Sequence, residues 1–151
     1  MKKHLIFMIA DKRYGIPLGR VKEVIAMTPI TPLPGVPDFY KGMINLRGQI
    51  VSIINLRQRL RFPVVEHTPK KTSILITHVG KITVGCIVDE VTEVIAYSDD
   101  QLKITELDKN ENGYDGIYGI AKSTNKDEDL TLLIDLEGLL KGTNFKVENA
   151  A

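Results

Sequence analysis

The sequence predicts an all-β protein built from two copies of one small unit. Short β-branched runs are set off by turn residues, the runs recur in the same order in both halves, and helix signals are confined to two short segments. The 151 residues suit one domain or two small subdomains, and 43% apolar with 26% charged is an ordinary globular mixture.

Taken in order, Leu5–Ala10 is apolar and β-prone, Asp11-Lys12-Arg13 supplies a turn, and Tyr14–Leu18 returns as the second arm of a hairpin. Val21, Val24 and Ile25 continue in β-branched residues. Pro29, Pro32, Pro34 and Pro37 then deny a sheet its amide donors and predict an extended loop. Ile50–Ile54 is a strand, Asn55 a helix N-cap, and Leu56 and Leu60 share one face of a short helix.

The second half follows the same grammar. Ser73–Val79, a Gly80-Lys81 turn and Ile82–Val88 form a hairpin, and Val91, Val94 and Ile95 follow. Ser98 to Gly116 is polar and irregular. Leu130–Ile134 is a strand, Asp135 an N-cap, Leu136 and Leu140 the helical pair, and Gly142 the helix stop.

A shift of 70 lays Leu5–Ile25 on Leu75–Ile95 with seven of 21 positions identical, among them Gly15/Gly85, Val21/Val91, Glu23/Glu93, Val24/Val94 and Ile25/Ile95. A shift of 80 lays Ile50–Leu60 on Leu130–Leu140, with Asn55 opposite Asp135. Duplication explains this order better than coincidence. The copies divide the chain at 1–67 and 68–151, with terminal segments free to cross between them. A unit that small has a marginal core, so the copies should bury a shared apolar seam.

Chemistry is sparse. The net charge of +1 creates no field for nucleic acid or anionic membrane. The basic start Lys2-Lys3-His4 precedes too few apolar residues for a signal peptide, and no run is long enough to span a bilayer, so the chain reads as cytoplasmic. His4, His67 and His78 lack metal-ligand spacing, so no metal and no cofactor is expected. Cys86 in Val-Gly-Cys-Ile-Val reads as a core thiol, and Asp89-Glu90 and Asp99-Asp100 as solvated carboxylates. Arg47, Arg57, Arg59 and Arg61 lack interleaved aromatics, which argues against nucleic-acid binding, although a small β-barrel binder would show itself by salt-dependent retention. A ligand-binding or hydrolytic barrel would need a polar pocket that the sequence does not display. No enzyme activity is expected.

One segment is specific. Gly42 and Gly48 bracket a short apolar strand in Lys41-Gly42-Met43-Ile44-Asn45-Leu46-Arg47-Gly48-Gln49-Ile50-Val51. With Tyr14-Gly15-Ile16, Val21-x-Glu23-Val24-Ile25, Asn55-Leu56-Arg57 and Thr83–Val91 (TVGCIVDEV), it resembles the CheW family of chemotaxis coupling proteins across roughly residues 4 to 141. Cys86 stands where an aliphatic residue is common in the family.

The resemblance implies a single CheW-like domain over 1–151, made of two packed SH3-like five-stranded β-barrels with short helices. It also implies an adaptor that joins chemoreceptor cytoplasmic hairpin tips to the regulatory domain of the histidine kinase CheA, meeting the membrane only through receptors. Carried over by motif, the receptor-side residues are Val21, Glu23, Gly42, Gly48 and Val88. Turn geometry is an equal explanation for the glycines. Arg47 is expected to brace its loop. The kinase side is expected near Gly116, Ile117, Tyr118 and Gly119. The two copies should divide the labour where they differ, the first keeping Asn-Leu-Arg-Gly and the second Ile-Tyr-Gly-Ile.

Overall fold

A computed structural model of the protein describes residues 1–63, 71–104, 116–123 and 130–140. His67, the copy boundary at 67/68 and the helix stop at Gly142 lie outside these residues.

The first half contributes β1 (Lys2–Ile9), β2 (Lys12–Pro17), β3 (Val21–Ala26), β4 (Tyr40–Leu46), β5 (Gln49–Asn55) and the short helix α1 (Leu56–Arg59). The second contributes β6 (Ser73–Val79), β7 (Ile82–Val88), β8 (Glu90–Tyr97), β9 (Leu102–Ile104), β10 (Ile117–Lys122), β11 (Leu130–Ile134) and α2 (Leu136–Leu140). The first turn sits at Ala10-Asp11, both at positive φ, one residue before the expected place; Lys12 and Arg13 already belong to β2. Asn55 caps α1 by accepting the Gln58 N–H at 3.1 Å.

The strands form two sheets, ordered β8-β1-β2-β11-β10-β9 and β3-β6-β7-β5-β4. Each sheet contains the hairpin of the other copy. β1–β2 enters the sheet of β8 to β11, and β6–β7 enters the sheet of β3 to β5. The two alignment shifts reproduce the pairing residue by residue. The parallel pairs Ser52↔Val84 and Ile53↔Gly85 become Leu132↔Tyr14 and Leu133↔Gly15. The bulge at Val21/Glu23 opposite β6 recurs where Val91 and Glu93 face β1. The duplication is therefore a structural pseudo-symmetry with its hairpins exchanged.

That exchange explains the unbroken apolar runs in the hairpins. Leu5, Phe7 and Ile9 face a seam shared with Leu75, Val84, Cys86 and Val88, while Ile6 faces Tyr97 and Leu133 in its own sheet. Ile74 and Ile76 likewise turn from the seam to Ile44, Val51 and Ile53. A strand buried on both faces loses polar alternation. The glycine common to both copies serves close packing, since a Cβ on Gly85 would lie 2.5 Å from Ile53 Cδ1 and one on Gly15 would lie 3.2 Å from Ile6 Cδ1.

Two strands depart from the sequence expectation. β9 falls inside the polar stretch read as irregular, giving its sheet six strands instead of five. β10 pairs with β11 around a bulge at Ile117/Gly119, matching the bulge at Tyr40/Gly42. Ile117-Tyr118-Gly119-Ile120 is thus the counterpart of Tyr40-Lys41-Gly42-Met43, not of the Asn-Leu-Arg-Gly turn. Spacing alone hid this, because the intervening insertion changes the shift from 80 to 77.

Candidate functional site

The specific sequence segment folds into one end of the first unit. β4 and β5 are joined by a two-residue turn, Leu46 facing Gln49 with Arg47 and Gly48 between them at φ +52° and +87°. Positive φ at both central positions is the primed turn that suits the twist of a hairpin, and glycine meets it without strain. Asn45 Oδ1 accepts the Gly48 N–H at 2.9 Å, closing the turn. The Arg47 guanidinium donates to Glu23 on β3, so the β4–β5 turn is tied to the opposite edge strand of its sheet.

Gly42 has another role. Its φ is +133°, and a Cβ there would land on the Thr31 carbonyl of the proline loop. Thr31 and Met43 exchange both backbone hydrogen bonds, at 2.8 and 2.9 Å, so the loop runs against the outer edge of β4. Gly48, by contrast, faces open space.

Val21 and Glu23 are half-buried on β3, with Val21 packed against the central seam. Val88, on β7, is 1% exposed and part of the seam, on a strand buried on both faces. On the second unit Gly116 and Gly119 are buried and only Ile117 and Tyr118 are partly open. Gly116 lies against Leu139 of α2, and its carbonyl accepts the Asp135 N–H at 2.7 Å.

The structure adds residues that sequence reading passed over. Apart from Met1, the exposed large apolar side chains among the described residues are Val24, Ile50, Val94 and Leu130. They form two pairs under the duplication, Val24 with Val94 and Ile50 with Leu130. Both pairs stood opposite one another in the alignment, but the continuous apolar runs around them concealed which members point outward.

Two ion pairs close the junctions where helix, turn and exchanged hairpin meet. Arg57 of α1 donates to Asp89 at 2.6 Å and to the Pro63 carbonyl at 3.3 Å, and Asp89 accepts the Ala10 N–H at 2.9 Å. The pseudo-equivalent junction reverses the charges: Glu137 of α2 accepts the Gly80 N–H at 3.0 Å and lies 3.6 Å from Arg20. Arg59 lies over the Phe39 ring at 5.8 Å. Arg47, Arg57 and Arg59 thus engage protein groups, which leaves little of the arginine set for phosphates.

The remaining chemistry is structural. Burial pushes the Cys86 thiol up to about 12, the opposite of an activated nucleophile. Burial lowers the pKa of His4, whose Nδ1 donates to the Lys2 carbonyl at 3.2 Å, leaving Nε2 to accept from the Tyr118 hydroxyl at 3.4 Å. Among the described residues no cluster of three or more His, Cys, Asp or Glu could hold a metal ion, and no helix is long and apolar enough to cross a membrane.

Comparison with known proteins agrees with this architecture. A family model described as a CheW-like domain matches residues 3–144. The chemotaxis protein CheW of Bacillus subtilis (strain 168) is 33% identical over 139 residues, covering 92% of this chain and 86% of that protein. The chemotaxis protein CheW of Klebsiella aerogenes is 29% identical over 151 residues, covering 99% and 89%. The crystal structure of the scaffolding protein TtCheW from Thermoanaerobacter tengcongensis superposes with a TM-score of 0.84 at 31% identity, covering 97% of this chain and 96% of that one.

Proposed function

The chain belongs to the CheW-like family of chemotaxis proteins, and from that premise we propose that it is a non-enzymatic, cytoplasmic adaptor coupling chemoreceptor tips to the kinase CheA. The observation that carries this reading is the paired exposure of Val24 with Val94 and Ile50 with Leu130. Exposed apolar side chains mark contact surfaces when they recur in one arrangement. A duplicated fold that exposes the same positions on both units offers two docking faces, and an adaptor needs at least two.

The receptor side is assigned to the first unit, around Val21, Glu23 and the loop held by Gly42, Gly48 and Arg47. An amphipathic receptor helix laid along β3 would meet Val21 as its apolar contact and Glu23 as a polar rim. The kinase side is assigned to the second unit, near Ile117 and Tyr118. The buried Val88, Gly116 and Gly119 support these faces from beneath.

Gel filtration of the full chain with a CheA regulatory-domain fragment tests the reading. Co-elution is expected at tens of micromolar, roughly the range of modest interfaces. Val21→Lys is expected to weaken binding of a receptor-tip fragment while kinase binding is kept. Absence of any kinase complex rejects the adaptor role.

A further inference from the structure

The second junction contains a cavity of about 420 Å³, within the size range of ligand pockets. Ile16, Pro17, Ile134 and Leu136 make its apolar wall, and Tyr118, His78, Asp135, Glu137 and Arg20 supply its polar lining. The pseudo-symmetric junction shows what is missing. There Asn55-Leu56-Arg57 occupies the place of Asp135-Leu136-Glu137, and the Arg57 guanidinium bridges Asp89 and the Pro63 carbonyl. In the second unit the helix residue is Glu137, and Gly19 stands where the other junction has Asp89. No guanidinium enters from the helix.

The charges are unbalanced in the same sense. Two carboxylates share the lining with one guanidinium and the His78 imidazole, and the Arg20 guanidinium stays 3.6 Å from Glu137 with about half of its side chain exposed. Asp135 uses Oδ1 for the Glu137 N–H at 3.1 Å, and Glu137 uses Oε1 for Gly80 and Arg20. Asp135 Oδ2 and Glu137 Oε2 have no hydrogen-bond partner among the described residues. We infer that this cavity is an arginine pocket, which takes the guanidinium of a partner polypeptide between Asp135 and Glu137 and its methylene stem along Ile16, Pro17 and Leu136. A planar fork matches two carboxylates better than an ammonium does.

The test is titration of the isotope-labelled full chain with the peptide acetyl-Ala-Ala-Arg-Ala-Ala-amide, followed by amide chemical shifts. The probe contains neither kinase nor receptor, so its outcome is separate from that of the adaptor reading. Saturable shifts are expected at residues 16–20, 117–119 and 134–137, weaker by several-fold with lysine in place of arginine and absent with alanine. Asp135→Asn combined with Glu137→Gln keeps both backbone hydrogen bonds and should weaken binding by about tenfold or more. Arg20→Ala removes the internal competitor and should tighten binding by several-fold, a gain that damage to the fold would not give. Unsaturable shifts, an unaffected double variant or weaker binding by Arg20→Ala each overturn the proposal. Shifts at the same residues on raising protein concentration without peptide would assign the pocket to a second copy and overturn it equally.

Discussion

At Gly42 the backbone runs through φ +133° with the Thr31 carbonyl where a side chain would begin, whereas at Gly48 φ is +87° and the same space is empty. One motif thus contains two glycines under different constraints. Gly48→Ala carries only the strain of a positive φ, about 1 kcal/mol. Gly42→Ala carries that strain and must also push the proline loop off β4, breaking the paired hydrogen bonds of Thr31 and Met43, for a total of about 3 kcal/mol or more. Urea unfolding of the two variants should separate them by at least about 1.5 kcal/mol; equal losses would mean that the loop is not held there. The sequence displayed both glycines and the arginine between Leu46 and Gly48. It could not display that Arg47 reaches Glu23, because that partner lies on a strand far along the chain. It could not display the burial of Val88, because both alternating sets of β7 side chains are buried and apolar character carried no information about facing.

At the scale of elements, the two junction ion pairs occupy equivalent places but differ in tightness. Arg57 and Asp89 meet at 2.6 Å with side chains 13% and 25% exposed, while Arg20 and Glu137 lie 3.6 Å apart at 49% and 52%. Removing Arg57 leaves a partly buried carboxylate without its charge partner and a carbonyl without its donor, so Arg57→Ala should cost about 1–3 kcal/mol. Arg20→Ala breaks an exposed pair and should cost no more than about 0.5 kcal/mol. Denaturant midpoints of the two variants check the contrast, and a reversed order would refute it. The strands themselves were legible wherever β-branched runs met turn chemistry, as in both hairpins. β9 was not, because three residues inside a polar stretch form a strand only through their pairing with β10. β10 was obscured by its bulge, which breaks the expected spacing.

Over the whole molecule, the duplication visible in residues 5–25 and 75–95 determines more than resemblance between halves. Because each hairpin completes the sheet of the other copy, neither unit has a whole sheet or a closed seam without its partner. The sequence revealed the repeat but not the exchange, since a shift of 70 is the same whether a hairpin pairs within its own copy or across. The exchange joins the two like units through one shared buried seam. The most direct measurement is sedimentation velocity of the full chain mixed with a receptor-tip hairpin fragment and a CheA regulatory-domain fragment. The adaptor account predicts a single ternary species containing all three, faster than either binary complex. Two binary complexes that displace one another would contradict it, because both partners would then share one surface.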